Sequence, residues 1–295
     1  MIEHTYFEAA DLDQARSMLA QHSGARVVAG GTDLVVGARS GKAALPSRLI
    51  AIHRLKELAG LEPAEAGGLK IGALATHGDL EASGLIARSW TALSDAAALV
   101  GSPATRHVGT VGGNVCNASP AMELGSPLLV FDASVELASV NGYRSMPFSS
   151  FVTGPGLTAS QPDELMTAVV LPAPMVGGRA GSAYLRLEYR QAMEIAIVGA
   201  AAMICIDGRD HCTEVRVALT AVARTCVRVH DTEEMLRGKT IDPELLGRAA
   251  QAAAGSATPI DDVRATAEYR RAMVPVMVER ALMRALERAR ESDTT

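Results

Sequence analysis

Two glycine-rich segments constrain this chain more than any other feature of it: Ala29-Gly30-Gly31-Thr32-Asp33 and Thr110-Val111-Gly112-Gly113-Asn114. A backbone that brings several N–H groups onto a phosphate tolerates no side chains at the contact points, and glycine also admits positive φ there. The first segment follows a strand-like run, Arg26-Val27-Val28-Ala29, and Thr32 adds a hydroxyl donor. Such a loop suits one side of a pyrophosphate without any lysine, so it is not a Walker loop. The second pairs a hydroxyl and two glycines with the Asn114 amide. Either segment alone reads more readily as a tight structural turn; two in one chain are far more specific.

The 295 residues exceed one average domain and suggest two. Near the N-terminus, Asp11 to Gln21 places Leu12, Ala15, Met18 and Leu19 on one helical face, with Asp11 as N-cap and Gly24 ending the run. Leu34 to Arg39 reads equally as helix or strand. Strands are expected at Arg48 to Ile52, Leu69 to Ala73, Ser134 to Ala138 and Leu165 to Leu171, and helices from Thr76 and over Trp90 to Val100. A glycine-dense loop is expected at Gly109 to Asn114. The Pro/Gly run that begins at Pro172 marks the domain boundary. Beyond it, Ala196 to Ile206 and Glu214 to Ala223 form an antiparallel pair turned through Asp207-Gly208. Helices at Pro243 to Ala254, with Pro at N1, and at Ala265 to Arg290 follow, and Glu291 to Thr295 is expected to be loose.

Composition removes several function classes. Lys plus Arg is 28 against Asp plus Glu at 33, a net charge of −5, which offers no basic footprint for nucleic acid. Aromatics are 3%, so stacking platforms are scarce and the core is expected to be aliphatic. The start of the chain has no apolar h-region, which argues against a targeting peptide and for a cytoplasmic location. The longest apolar stretch, Ile195 to Ile206, is too short for a membrane span. Cys116, Cys205, Cys212 and Cys226 form no C-x-x-C pair and read as reduced, mostly buried thiols, and no metal-ligand spacing occurs.

The residues also carry a resemblance. Val28-Ala-Gly-Gly-Thr-Asp-Leu34 and Arg106-His-Val-Gly-Thr-Val-Gly-Gly-Asn-Val-Cys-Asn-Ala-Ser-Pro120 resemble the paired FAD loops of the molybdenum hydroxylase flavoproteins, the family of the xanthine dehydrogenase flavin domain and the aerobic carbon monoxide dehydrogenase medium subunit. The likeness continues at Leu69-Lys-Ile-Gly-Ala-Leu74, Glu164-Leu-Met-Thr-Ala-Val-Val-Leu-Pro172, Tyr184-Leu-Arg-Leu and Glu194-Ile-Ala-Ile-Val198. It closes with Tyr269-Arg-Arg ahead of Arg280-Ala-Leu, so it spans nearly the whole chain.

The resemblance implies an α+β chain: a two-subdomain FAD-binding fold of the vanillyl-alcohol oxidase type over residues 1–175 (subdomains about 1–55 and 56–175), then a C-terminal antiparallel sheet with helices over 176–290. It implies noncovalent FAD, with the pyrophosphate gripped by Val28, Ala29, Gly30, Gly31, Thr32, Asp33 and Leu34 and by Thr110, Val111, Gly112, Gly113 and Asn114. Glu123 stands where the family usually has an aspartate contacting the cofactor, and Arg186 where it usually has a lysine near the flavin; Met166 aligns with an apolar residue beside it. An exposed salt bridge for Arg186 and a plain core role for Met166 are the alternatives.

A flavin carries its own redox chemistry, so no catalytic residue is expected on this chain. His77 and His107, the histidines nearest the loops, read as capping or surface residues rather than sites of covalent attachment. Cys116 reads as a packed thiol. The implied function is an electron-transfer subunit, with a large molybdopterin subunit and a small subunit carrying [2Fe-2S] clusters as partners, in a dimer of heterotrimers. Two other classes remain open at this point. One is a stand-alone FAD oxidase or dehydrogenase with its own small substrate, and the other a scaffold that keeps the fold without cofactor.

Overall fold

The N-terminal alternation of polar and apolar residues builds a small three-stranded sheet. In the computed structural model, which describes residues 4–41, 43–175 and 178–292, β1 (Thr5–Glu8) leads into α1 (Leu12–Gln21). The Asp11 carboxylate accepts a hydrogen bond from the Gln14 N–H at 2.7 Å, fixing the start of α1. β2 (Arg26–Val28), α2 (Leu34–Arg39) and β3 (Arg48–Ala51) follow. The strands lie parallel in the order β1-β3-β2, with Tyr6 opposite Leu49 and Val27 opposite Ile50. Ala15, Leu19, Ile50, Ile52 and Leu55 form the core beneath. Leu34 to Arg39 is helix, its Val35 and Val36 both exposed. β1 has no counterpart in the sequence reading, because three of its four residues face solvent and leave no apolar alternation to read.

A second sheet is antiparallel. β4 (Leu61–Pro63) and β5 (Leu69–Gly72) precede the short helix α3 (His77–Ala82). α4 (Gly84–Ser89), α5 (Thr91–Ala98), α6 (Pro103–Arg106), α7 (Val111–Asn117) and α8 (Gly125–Val130) come next. β6 (Ser134–Ser139) and β7 (Gly142–Pro147) make a hairpin. α9 (Phe148–Phe151), the pair β8 (Val152–Gly154) and β9 (Leu157–Thr158), and β10 (Leu165–Leu171) complete this part, in the sheet order β4-β5-β10-β6-β7. Residues of β10 are nearly all buried, as a central strand requires.

The third sheet is also antiparallel, β11 (Arg179–Leu187), β12 (Val198–Ile206), β13 (Cys212–Thr220) and β14 (Val227–Arg228) in that order. α10 (His230–Leu236), α11 (Pro243–Ala252) and α12 (Ala267–Glu291) follow it. All nine residues of β12 are buried. Val198, Ala200, Ala202, Ile204 and Ile206, on one face of the strand, share a core with Val274, Val278, Leu282 and Leu286 of α12. Gly181 permits this packing, since a Cβ there would sit 2.2 Å from the Ala285 carbonyl oxygen. That residue lies in the Pro/Gly run, which therefore passes into a strand at Arg179; Val176 and Gly177 of the run, and Asp293 to Thr295 of the tail, fall outside the described residues. Arg270 is buried in α12 and donates to the Ile197 carbonyl at 2.6 Å and to Asp262 at 2.7 Å, tying two connections to the helix.

The residues group into two compact units. The first takes the chain up to Asp79, then Pro103–Ala118 and Ala133–Pro172; the second takes Leu80–Ser102, Ser119–Asp132 and the chain from Ala173 onward. In the second unit, the Ala92 N–H of α5 donates to the Ser182 hydroxyl of β11 at 3.1 Å. The Thr220 hydroxyl of β13 likewise meets Ser126 of α8 at 2.8 Å.

Candidate functional site

Val28 ends β2, and its carbonyl accepts from Ile52 N–H at 3.0 Å, so the chain leaves the sheet edge at Ala29. Gly31 has φ +68°, a conformation that costs other residues about 1 kcal/mol or more. The turn then enters α2, with the Val35 N–H bonded to the Gly31 carbonyl at 2.9 Å. Among the described residues, none of the five consecutive N–H groups from Gly30 to Leu34 has a hydrogen-bond partner. A run of free donors at a glycine turn is an anion-binding concavity.

The second segment is built otherwise. Thr110 caps α7, its hydroxyl accepting from Gly113 N–H at 3.0 Å. The Val111 and Gly112 N–H groups donate to the carbonyls of Ala75 and Ala73, each at 2.8 Å. Only Gly109 and Thr110 of the expected glycine-dense loop are non-helical; Val111 to Asn114 form the first turn of a helix. Gly112 is glycine because a Cβ would lie 2.8 Å from both the Cβ and the carbonyl oxygen of Ala73. The Asn114 side-chain oxygen is buried with no hydrogen-bond partner, an acceptor left over within this turn.

The two segments meet inside the first unit. A Cβ on Gly30 would fall 1.9 Å from the Val108 carbonyl oxygen, just ahead of the second segment. The Thr32 hydroxyl lies 3.6 Å from where a Gly109 Cβ would be. Together they present free N–H donors, a hydroxyl and bare backbone, and lysine is absent from both segments. This donor set fits a pyrophosphate, which needs several short hydrogen bonds more than one point charge.

Met166 is buried on β10, its sulfur 3.5 Å from the Cys116 thiol at the end of α7. Cys116 is exposed as a residue, unlike the buried cysteine expected there, while its sulfur is enclosed and burial pushes the thiol up to about 12. Cys205 and Cys212 are buried and Cys226 half-buried. A cavity of about 250 Å³ lined in part by Glu57, Glu62, Lys70 and Tyr143 contains no residue of either glycine segment.

Glu123 and Arg186 belong to the second unit, where they contact each other. The Arg186 guanidinium, 1% exposed, lies 2.6 Å from Glu123, and its other face pairs with Glu188. The exposed salt bridge is thereby excluded. The Tyr184 hydroxyl donates a short hydrogen bond to Glu123. Burial pushes the Glu123 carboxyl up against the opposing pull of Arg186 and Tyr184. Burial alone would lower Arg186, but the carboxylates of Glu123 and Glu188 outweigh it and hold the cation charged.

His77 is the residue that sequence reasoning undervalued. It is buried, not on the surface, with its ring beside Gly109, while His107 is exposed as expected. Its backbone N–H donates to the Gly109 carbonyl at 3.1 Å. The signal available in the sequence was its place shortly after the strand Leu69–Gly72, where α3 begins, but nothing in the pattern marked the ring as buried.

Comparisons with known proteins bear on both units. Residues 2–174 match the family described as FAD binding domain in molybdopterin dehydrogenase, and residues 183–285 the CO dehydrogenase flavoprotein C-terminal domain. A xanthine dehydrogenase FAD-binding subunit from Escherichia coli O157:H7 is 30% identical over 285 residues, covering 97% of both chains. The carbon monoxide dehydrogenase medium chain of Hydrogenophaga pseudoflava is 32% identical, covering 94% of this chain and 95% of the relative. A solved structure of carbon monoxide dehydrogenase from the same organism, lacking the Mo-pyranopterin moiety of its molybdenum cofactor, superimposes with TM-score 0.90 at 31% identity, over 97% of this chain and 98% of the other.

Proposed function

The chain belongs to the family of FAD-binding subunits of molybdopterin dehydrogenases, and from that premise we propose that it is the electron-transfer flavoprotein of a multi-subunit molybdenum hydroxylase. In this reading it receives electrons from iron–sulfur clusters of a small partner subunit and passes them to an external acceptor. Substrate oxidation belongs to a large molybdopterin-binding subunit, and two such heterotrimers pair. The complex is cytoplasmic; no helix among the described residues is long and apolar enough to cross a membrane.

The observation that carries the reading is the run of unpaired N–H groups from Gly30 to Leu34 beside Thr32 and Gly109. These groups would bind the FAD pyrophosphate from one side, with Thr110 to Asn114 forming the other. FAD supplies the redox chemistry when bound. The chain's own task is to hold it, orient it and keep water from the ring. Met166 contributes an apolar wall; Glu123 and Arg186, which the family resemblance also assigns to the cofactor, form a fixed, desolvated charge pair within the second unit. The two-subdomain vanillyl-alcohol oxidase architecture, with residues 1–175 as the cofactor domain and 176–290 as the second domain, belongs to the same proposal.

The test is an absorbance spectrum of the purified chain after incubation with FAD and desalting, followed by heat release and identification of the pigment. Released FAD is the expected result. Pigment that stays with the precipitate would mean covalent attachment and overturn the noncovalent assignment, and colourless protein from the intact complex would overturn the flavoprotein reading.

A further inference from the structure

The second unit holds a row of buried polar groups that an aliphatic core does not call for. Side chains alternate along a strand, so Ala183, Leu185 and Leu187 of β11 join the core shared with α12, while Tyr184, Arg186 and, just past the strand's end, Glu188 line the opposite face. Glu123 reaches that face from the connection between α7 and α8. Arg186 Nη1 donates to Glu123 at 2.6 Å, its Nε donates to Glu188, and the Tyr184 hydroxyl donates to Glu123. Nη2 is enclosed against Glu188 without the alignment of a hydrogen bond. Gly199 of β12, paired with Arg186 across the sheet, leaves the space this row needs: a Cβ there would lie 2.6 Å from the Tyr184 hydroxyl oxygen.

Enclosure separates this cluster from a ligand contact. The Arg186 side chain is 1% exposed and that of Glu123 8%, and the groups that pair with them all belong to the second unit, so neither presents an open edge. The backbone adds a second observation. Residues 119–124 are tied to the sheet through the Pro120 carbonyl, which accepts from the Ala221 N–H at 2.9 Å, and again through the Glu123 side chain. They directly follow α7, whose first turn is formed by Val111 to Asn114. A buried ion pair adds little stability over apolar groups of the same volume, whereas losing one member leaves an uncompensated charge. What such a pair can supply is a fixed register between the segments that carry it.

We infer that Glu123, Tyr184 and Arg186 are positioning residues that touch no atom of the cofactor: Arg186 and Tyr184 hold the Glu123 carboxylate, and through it residues 119–124, against β11. The family resemblance gives Glu123 and Arg186 to the cofactor, and their enclosure gives them to the chain instead. They act on FAD only through α7, so the inference rests on the FAD reading above for its readout.

The full chain, freed of flavin, is melted and is titrated with FAD by fluorescence quenching, as wild type, as Arg186→Met, and as Arg186→Met combined with Glu123→Gln. Arg186→Met leaves Glu123 and Glu188 without their shared cation. It is expected to lower the melting temperature by about 10 °C and, at a temperature where the variant is folded, to weaken FAD about fivefold. Adding Glu123→Gln removes one of the two carboxylates and keeps an acceptor for Tyr184. It should restore most of the lost melting temperature and bring FAD affinity back to within about twofold of wild type, with the flavin potential unmoved. FAD affinity unaltered by Arg186→Met in a folded chain would overturn the positioning role. A double variant that binds FAD as weakly as Arg186→Met, or shifts the flavin potential, would show that the lost groups touch the cofactor and would overturn it too. Should Arg186→Met fail to fold, the wild-type chain decides: the guanidinium Nε–H NMR signal absent from Arg186→Lys is assigned to Arg186, and it must stay in place when FAD is added. A signal that moves overturns the inference. Wild-type chain that binds no FAD would instead sink the FAD reading itself, a result distinguishable because it precedes any variant.

Discussion

The dipeptide Gly-Gly occurs at Gly30-Gly31 and again at Gly112-Gly113, and the two copies are glycine for different reasons. At the first, one residue needs positive φ and the other passes under the Val108 carbonyl, while the N–H groups stay free. At the second, Gly112 lets a helix lie against β5's exit at Ala73, and the donors of the turn are already bonded to Ala75, Ala73 and Thr110. The first segment leaves its N–H groups free, and the second has its own bonded within the unit. Identical residues in a pattern therefore do not imply identical work: glycine records where a side chain is forbidden, not which neighbour forbids it.

Substitutions should separate the two roles. The largest effect is expected for Gly30→Ala, whose Cβ would lie 1.9 Å from a backbone oxygen; a stability loss of about 3 kcal/mol in denaturant melts, with no FAD retained, follows from overpacking against backbone. A wild-type melt would mean the junction opens freely. Acid should probe the buried His77 ring beside Gly109. His77 has a folded pKa of about 4 against an ordinary 6.5, so the unfolded chain takes up a proton that the folded chain refuses. Stability then falls as pH drops from 6.5 toward 4, by on the order of 3 kcal/mol, and that slope should vanish in His77→Phe.

Gly112→Ala is expected to destabilise by about 1 to 3 kcal/mol, even without flavin, because its obstacle is Ala73. Gly31→Ala should cost nearer ~1 kcal/mol through its φ and weaken FAD disproportionately. Equal losses of stability and affinity in both variants would erase the distinction drawn between the segments. The smallest pair concerns the threonines. Thr110→Ala removes a helix cap and should lower stability by about 1 kcal/mol, whereas Thr32→Ala should leave the flavin-free melt within about 0.5 kcal/mol and appear only in the FAD dissociation constant.

Much of this was legible in the residues because the relevant forces are local. The Asp11 cap, Pro243 at the first helical position and the apolar run of β12 announce themselves in sequence and occur where expected. What stayed hidden depends on partners distant in the chain. β11 looked like part of a Pro/Gly boundary because its Gly181 is explained only by α12, far along the chain. The helical turn of Val111 to Asn114 looked like a loop because two glycines argue against helix unless Ala73 is known to press on Gly112. The mutual burial of Glu123 and Arg186 required the fold to bring residues 63 apart into one ion pair.

The segments Leu80–Ser102 and Ser119–Asp132 group with the sheet formed by β11 to β14, although they precede it in the chain. During synthesis they leave the ribosome before their sheet exists. At about 5 to 20 residues per second, the buried faces of α5 and α8 wait on the order of ten seconds for β11 to β13 to be translated. Over that interval Leu93, Ala96, Leu128 and Leu129, all buried in the folded chain, lack the sheet that α5 and α8 pack against. The nascent chain thus offers chaperones a predictable apolar target, and a slow stretch of message placed after residue 132 would prolong that vulnerability.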